Sequence, residues 1–280
     1  MEYRRIEVRP IAGALGAEVN GVRITPGLPA DTIDEIRRAW LAHAAVFFRD
    51  VELAPDGYLA FARRFAQISE YPLLQGLPEH PQIIEVKKLA HERNNFGGIW
   101  HSDTSYLETP PLGTMLLAKE VPEYGGDTLF ASMYLAYEAL SPGMQKLLGG
   151  LRAVNVSSKA GANLTRADRM SNGAKIDPAR DEFVAVHPVV RTHSETGRKA
   201  LYVNCAHTLR FEGMTEAEST PLLEWLYAHQ TRPEFTCRFN WRAGSLAFWD
   251  NRACQHNPIN DYHGRQRVMQ RISLGAERPD

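Results

Sequence analysis

The grouping of apolar residues is what most constrains this chain. From residue 112 onward they fall in short β-prone runs, at 112–118, 127–131, 151–157, 184–191, 200–204, 234–239, 245–249 and 266–274, each ended by turn-forming residues. Runs of that length between such turns make strands. No regular strand–helix alternation is present, so a parallel sheet is not indicated. The expected architecture is mainly β, a sandwich or jelly roll.

Helical patterns are few. Asp31 reads as an N-cap, with Ile33, Ile36, Trp40 and Ala44 following at helical spacing and a strand over Ala45–Phe48 after them. A second helix is expected from about Asp56, burying Leu59, Ala62, Phe65 and Ala66. A third is expected near 215–229, where Thr215 and Glu218 form a capping box. Residues 6–25 read as a hairpin region. A further hairpin joins 189–191 to 200–203 through the polar turn Ser194-Glu195-Thr196-Gly197. Segment 158–182 is the longest polar, irregular stretch, suited equally to an active-site lid or a surface insertion.

The 280 residues are 44% hydrophobic and 23% charged, enough for one large core, and a single domain over 1–280 is expected. A net charge of −1 leaves no electrostatic footprint for nucleic acid or a membrane surface. Cys205, Cys237 and Cys254 build neither a disulfide framework nor a zinc pattern, which suits a reducing compartment. No signal peptide and no run of about 18 apolar residues is found, so the expected location is cytoplasmic.

The chemistry begins at Trp100-His101-Ser102-Asp103. In an extended segment residues i and i+2 face the same way, so His101 and Asp103 can grip one ion from one side. Two imidazoles and a carboxylate on one face form the iron(II) triad that leaves positions open for other ligands. One His-x-Asp carries little weight in a chain with ten histidines, and His193-Ser194-Glu195 offers a rival. The rival falls in the polar hairpin turn, where water would prevent a shielded metal, and is set aside. His256, after the apolar run 246–249 and a turn, is the best third ligand.

A second signal is Arg267-Val268-Met269-Gln270-Arg271. On a strand, Arg267 and Arg271 share a face and aim two anion clamps into one space, unless the segment is a solvated edge. Charge balance favours the clamps. A divalent ion with one carboxylate keeps one net positive charge, and a chelated dianion leaves one net negative charge, which one arginine neutralises. The other arginine would accept an anionic substrate. Gly125-Gly126-Asp127-Thr128 reads as a tight turn entering a strand, with a hydroxyl for a carboxylate.

Together these pieces resemble the taurine dioxygenase (TauD/TfdA) family of Fe(II)/2-oxoglutarate oxygenases. The match runs through Ile99-Trp100-His101-Ser102-Asp103-Thr104-Ser105-Tyr106, Glu108-Thr109-Pro110-Pro111, Ala118-Lys119-Glu120-Val121-Pro122, Gly125-Gly126-Asp127-Thr128, His187-Pro188-Val189-Val190-Arg191-Thr192-His193, Trp249-Asp250-Asn251-Arg252, His256 and Arg267 to Arg271, in family order. The resemblance implies a double-stranded β-helix (jelly roll) core with flanking α-helices. It also implies iron on His101, Asp103 and His256, O2 as oxidant, and the distal carboxylate of 2-oxoglutarate on Thr128 and Arg267. Arg271 is expected to meet the anionic group of a small-molecule substrate, with Tyr71, Gly97, Thr104 and His207 lining its pocket.

The pocket departs from taurine dioxygenase itself. Tyr71-Pro72-Leu73-Leu74 stands where a sulfonate-binding His and Tyr would fall, Gly97-Gly98 where an Asn would, and Gly161 and His207 near two phenylalanine positions. Losing donors built for one anion destroys discrimination for it, so taurine is not the expected substrate. Segments 213–219 and 235–238 are more similar to aryloxyalkanoate dioxygenases, so a carboxylate of that kind, or an alkyl sulfate or sulfonate, is expected. The family resemblance also implies a homo-oligomer, dimer or tetramer. Two rival readings are a non-catalytic jelly roll that binds a small anion and a zinc hydrolase on a cupin-like scaffold.

Overall fold

In the computed structural model, which describes residues 2–159 and 182–280, the chain begins with β1 (Glu7–Pro10), β2 (Ala17–Asn20), α1 (Ala30–His43), β3 (Ala45–Phe48), α2 (Pro55–Ala62), β4 (Ile68–Ser69) and β5 (Ile84–Lys88). It continues through β6 (Gly113–Glu120), β7 (Thr128–Ser132), α3 (Met133–Glu138), α4 (Pro142–Leu148), β8 (Arg152–Val156), β9 (Val184–Pro188), β10 (Val190–Thr192), β11 (Lys199–Leu201) and β12 (Thr208–Phe211). The last elements are α5 (Glu216–Gln230), β13 (Thr236–Phe239), β14 (Leu246–Asp250), β15 (Cys254–Pro258) and β16 (Arg267–Leu274). Among the described residues no helix is long and apolar enough to cross a membrane.

The large sheet runs β1-β2-β3-β14-β6-β16, with β4 and β5 both paired to the far side of β16. Its pairs are antiparallel except β2–β3. Smaller antiparallel sheets are β13-β7-β15 and β12-β8-β9, and β10–β11 forms the expected hairpin. The fold is mainly β, a jelly roll with flanking helices.

Strand alternation divides the core in two. Phe47, Leu116, Ala247, Trp249 and Met269 face inward with Phe130 and Phe239 of the small sheet. Their neighbours Phe48, Met115, Leu117, Phe248 and Ile272 face outward beneath α1 and α2. Both seams are sealed by aromatic pairs: Phe47 stacks on Phe239 at 4.0 Å, and Trp40 of α1 stacks on Phe248 at 4.3 Å. Each such pair adds about 1 kcal/mol beyond area burial. Covered on both faces, β14 is buried along its whole length, which is why it reads as an unbroken apolar run rather than an alternation.

Several local expectations need correction. The first helix starts at Ala30 with Pro29 at the N-cap position, so Asp31 is not the cap. It lies in the first turn, where its carboxylate meets Arg5 at 2.8 Å and suits the helix dipole. The second helix ends at Ala62, short of Phe65 and Ala66. The sequence reading missed α3, α4, β12 and β15, although Ser132 and Ser141 cap α3 and α4 with their hydroxyls and Pro142 opens the latter. By contrast the capping box of α5 is present, Thr215 and Glu218 bonding reciprocally. The lid expectation for 158–182 and the position near Gly161 lie almost wholly outside the described residues.

His187 of β9 ties this scaffold to the loop that follows residue 103. Its Nε2 bonds the Leu107 carbonyl at 2.9 Å, and burial pushes its pKa down to about 4. The unfolded chain therefore takes up this proton first. Unfolding free energy should fall as pH drops from about 6.5 to about 4, by on the order of 3 kcal/mol from this group. Urea titrations of wild type and His187→Gln should show a shallower pH dependence in the variant across that window, and parallel curves would contradict it.

Candidate metal and anion site

His101 and His256 are brought together by backbone pairing. The His101 N–H donates to the His256 carbonyl at 3.1 Å, and the His256 N–H returns the bond at 2.9 Å. Beyond this isolated bridge the chain turns instead of continuing as a strand. Asp103 lies in that turn, and Thr104 follows in the left-handed region at φ 44°. The expected strand-face pairing of His101 and Asp103 is thus replaced by a bridge and a turn. The result is nevertheless convergent: Asp103 Oδ1 lies 3.7 Å from His101 Nε2 and 3.8 Å from His256 Nε2.

These three buried residues offer ligand atoms within 4.8 Å of one another, the one such group among the described residues. His101 Nδ1 bonds the Ile99 carbonyl at 2.7 Å, which turns the Nε2 lone pair inward. For His256, burial first and then the neighbouring His101 push the pKa well below the ordinary histidine range, so its imidazole is neutral. Burial opposes ionisation of Asp103. The Arg271 guanidinium and a hydrogen bond from Thr114 outweigh it, holding the carboxyl well below the usual range. Two imidazoles and one carboxylate fit a divalent first-row cation with open positions.

Strand β16 is interior to the sheet, not a solvated edge, and Arg267 and Arg271 are 5% and 6% exposed. Arg271 Nη2 reaches Asp103 Oδ1 at 3.0 Å, and its guanidinium lies over the Tyr71 ring at 4.9 Å. Thr128 Oγ1 accepts from Trp241 Nε1 at 3.0 Å, and the same indole lies 5.5 Å from the Arg267 guanidinium. An indole N–H can only donate, so the Thr128 hydroxyl proton is left for another acceptor.

Two adjoining cavities share Phe96, Gly97, His101, Asp103 and Arg271. One, of about 450 Å3, also takes in His256, Thr128, Arg267 and Trp249. The other, of about 340 Å3, is lined by Tyr71, Thr104 and His207, with Phe96 and Tyr106 as further walls. All ten site residues expected from the sequence therefore meet around one centre.

The rival His193 is not on a watery turn tip. It is 1% exposed, donates from Nε2 to Asp250 Oδ2 at 3.0 Å, and accepts two backbone N–H groups at Nδ1. Both ring nitrogens are in use, so setting it aside was right for another reason. Sequence reading missed Trp241 and Thr114, whose partners Thr128 and Asp103 lie 113 and 11 residues away. Trp241 follows the apolar run of β13 with no motif of its own, and no signal in the sequence marks it.

Residues 7–273 match the family model described as "Taurine catabolism dioxygenase TauD, TfdA family". An alpha-ketoglutarate-dependent sulfate ester dioxygenase of Pseudomonas putida is 32% identical, over 98% of this chain and 91% of its own length. The alpha-ketoglutarate-dependent 2,4-dichlorophenoxyacetate dioxygenase of Cupriavidus pinatubonensis is 32% identical, over 90% and 91%. The crystal structure of a taurine dioxygenase from Burkholderia xenovorans superposes with a TM-score of 0.83 at 34% identity, covering 99% of this chain and 91% of that one.

Gly97 sits against His101 at φ 70°, and a Cβ there would lie 3.0 Å from the imidazole Cε1. Gly97→Ala should cost about 1–2 kcal/mol of stability for the left-handed backbone. By displacing the imidazole it should weaken divalent-cation binding about tenfold. Thermal unfolding and a Co(II) titration check both, and unchanged Co(II) affinity would mean the imidazole yields freely.

Proposed function

This chain belongs to the TauD/TfdA dioxygenase family, and from that premise we propose that its adjoining cavities are the cosubstrate and substrate compartments of one active centre. The enzyme is a 2-oxoglutarate-dependent dioxygenase that hydroxylates a small anionic molecule and releases succinate and CO2. The observation that carries the residue assignment is the convergence of His101, Asp103 and His256, the first two on the wall the cavities share and His256 in the larger one.

In this reading those three side chains hold Fe(II). When bound, the iron with O2 and 2-oxoglutarate supplies the oxidising chemistry, and the protein supplies position and charge. Arg267 and Thr128 grip the distal carboxylate of 2-oxoglutarate at the far end of the larger cavity. Trp241 prepares both, as the acceptor-blocking donor to Thr128 and as a flat surface beneath Arg267. Burial of this cation strengthens its interaction with a dianion, because little water competes there.

Arg271 lines both cavities and receives the anionic group of the substrate. Its Nε has no hydrogen-bond partner, so it has a donor to offer beyond the Nη2 contact with Asp103. Tyr71, Phe96 and Tyr106 give the smaller cavity an aromatic wall for an apolar body. The Thr104 hydroxyl is buried there without a partner, and Gly97 and His207 complete the lining. One anion, an apolar body and a polar atom near the reacting carbon describe an aryloxyalkanoate or another carboxylate, an alkyl sulfate or a sulfonate. With oxygen or sulfur on the hydroxylated carbon, the product would collapse and break that bond. A cytoplasmic homo-oligomer of two or four chains belongs to the same reading. The three free cysteines suit that compartment, and light scattering tests the assembly.

A succinate-release screen of aryloxyalkanoates, alkyl sulfates and sulfonates, with Fe(II), ascorbate and 2-oxoglutarate, should identify one class that stimulates turnover. His101→Ala should abolish that turnover, and retained activity would sink the metal assignment. Arg267→Ala should weaken 2-oxoglutarate binding by ~2–5 kcal/mol, whereas Arg271→Ala should raise the substrate KM more than the cosubstrate KM. Equal effects of the two variants on both constants would mean the cavities are wrongly assigned.

A further inference from the structure

Behind Asp103 runs a buried chain of hydrogen bonds. Trp249 Nε1 donates to Asn251 Oδ1 at 3.0 Å, Asn251 Nδ2 donates to Thr114 Oγ1 at 3.0 Å, and Thr114 Oγ1 donates to Asp103 Oδ2 at 2.6 Å. Trp249, Asn251, Thr114 and Asp103 are all at most 3% exposed, so water cannot substitute for any link. The Asn251 backbone is itself anchored, its carbonyl accepting from Ser102 at 2.7 Å and its N–H donating to Leu112.

The chain has only one proton sense. An indole N–H is a donor alone, so Asn251 must present its carbonyl oxygen to Trp249 and its amide to Thr114. Thr114 then accepts from Asn251, and its single proton goes to Asp103 Oδ2. That oxygen is occupied. The other, Oδ1, faces His101 Nε2 and His256 Nε2 and carries the ion pair with Arg271 Nη2 at 3.0 Å, a contact that a cation seated between the imidazoles would share or displace. We propose that Thr114 and Asn251 are positioning residues that keep Asp103 to a one-oxygen grip on the metal, in a sense dictated by Trp249. The inference rests on the reading of His101, Asp103 and His256 as metal ligands. A carboxylate can bind through one oxygen or two. Holding one oxygen away reserves a coordination position for the incoming ligands, which is what a centre that must take a chelating keto acid and O2 requires.

Co(II) alone is the probe, since its visible ligand-field bands report coordination number. Thr114→Val keeps the shape and removes the proton. It should bind Co(II) about tenfold more weakly, the lower end for partners of metal ligands, and change the band pattern. Thr114→Ser keeps the hydroxyl and should restore both. Asn251→Asp replaces a donor by an acceptor that recruits the Thr114 proton away from Asp103, and should reproduce the Val spectrum at unchanged side-chain size. A role in stability alone would lower the melting temperature and leave the bands of the folded variants as in wild type. Wild-type Co(II) affinity and bands in Thr114→Val and Asn251→Asp, with binding abolished by His101→Ala, would overturn this inference and spare the metal assignment. Co(II) binding that does not depend on His101 in the wild-type chain would overturn both.

Discussion

A carboxylate taken out of water needs compensation, and the interior of this protein is arranged around one such group. Asp103 is 3% exposed, yet its pKa is held low because the Arg271 guanidinium and a threonine hydroxyl meet it where it lies between two imidazoles. Each partner arrives from a different element: Arg271 on β16, His256 on β15, Thr114 on β6 and His101 on the segment bridged to β15. Removing one partner of a buried charge costs several kcal/mol, because the remaining charge is stranded. The sheet order that places β6 beside β16, and the bridge that pins His101 to His256, are therefore conditions for burying Asp103 at all.

Two tryptophans perform the same service at opposite sides of this centre. Trp249 and Trp241 each spend a donor-only N–H on an oxygen, and each thereby decides where a threonine hydroxyl sends its proton. For Thr114 the recipient is a metal-ligand candidate, and for Thr128 it is open space in the larger cavity. Trp249 also packs its ring 4.6 Å from that of His256, so one side chain holds both a ligand and the chain of bonds behind another. Polar groups at this depth are costly unless fully paired, and pairing them through rigid indoles leaves little freedom for alternative arrangements.

A second buried charge network serves another purpose. Asp250 and Arg252 bond each other at 2.8 Å, Asp250 accepts a hydrogen bond from His193, and Arg252 reaches Glu195 at 2.9 Å. Arg191 pairs with Glu277 at 2.6 Å beside it. These bonds join the β14–β15 turn, the β10–β11 hairpin and the C-terminal segment. Asn251 and the approach to His256 lie on that same turn. The network thus fixes the loop that delivers two of the site's parts while contributing no atom to the cavities.

The primary sequence was enough to determine the class of fold and the chemical character of the centre. Short β-prone runs excluded a parallel sheet, two-residue alternation put Arg267 and Arg271 on one face, and the ordered motifs picked out His101, Asp103 and His256, which converge in the fold. Those readings succeed because they depend on spacing within one strand or on residue types with few other uses. Only the tertiary structure decided that Asp103 leaves the strand for a turn, that β15 exists although its text is Cys-Gln-His-Asn-Pro, and that His193 is buried in a charge network. It alone brought Trp249, Asn251 and Thr114 into line behind Asp103. The physical reason is that hydrogen-bond direction and burial are properties of neighbours distant in the chain, and a polar residue in a core reads like one on a surface until its partners are in place.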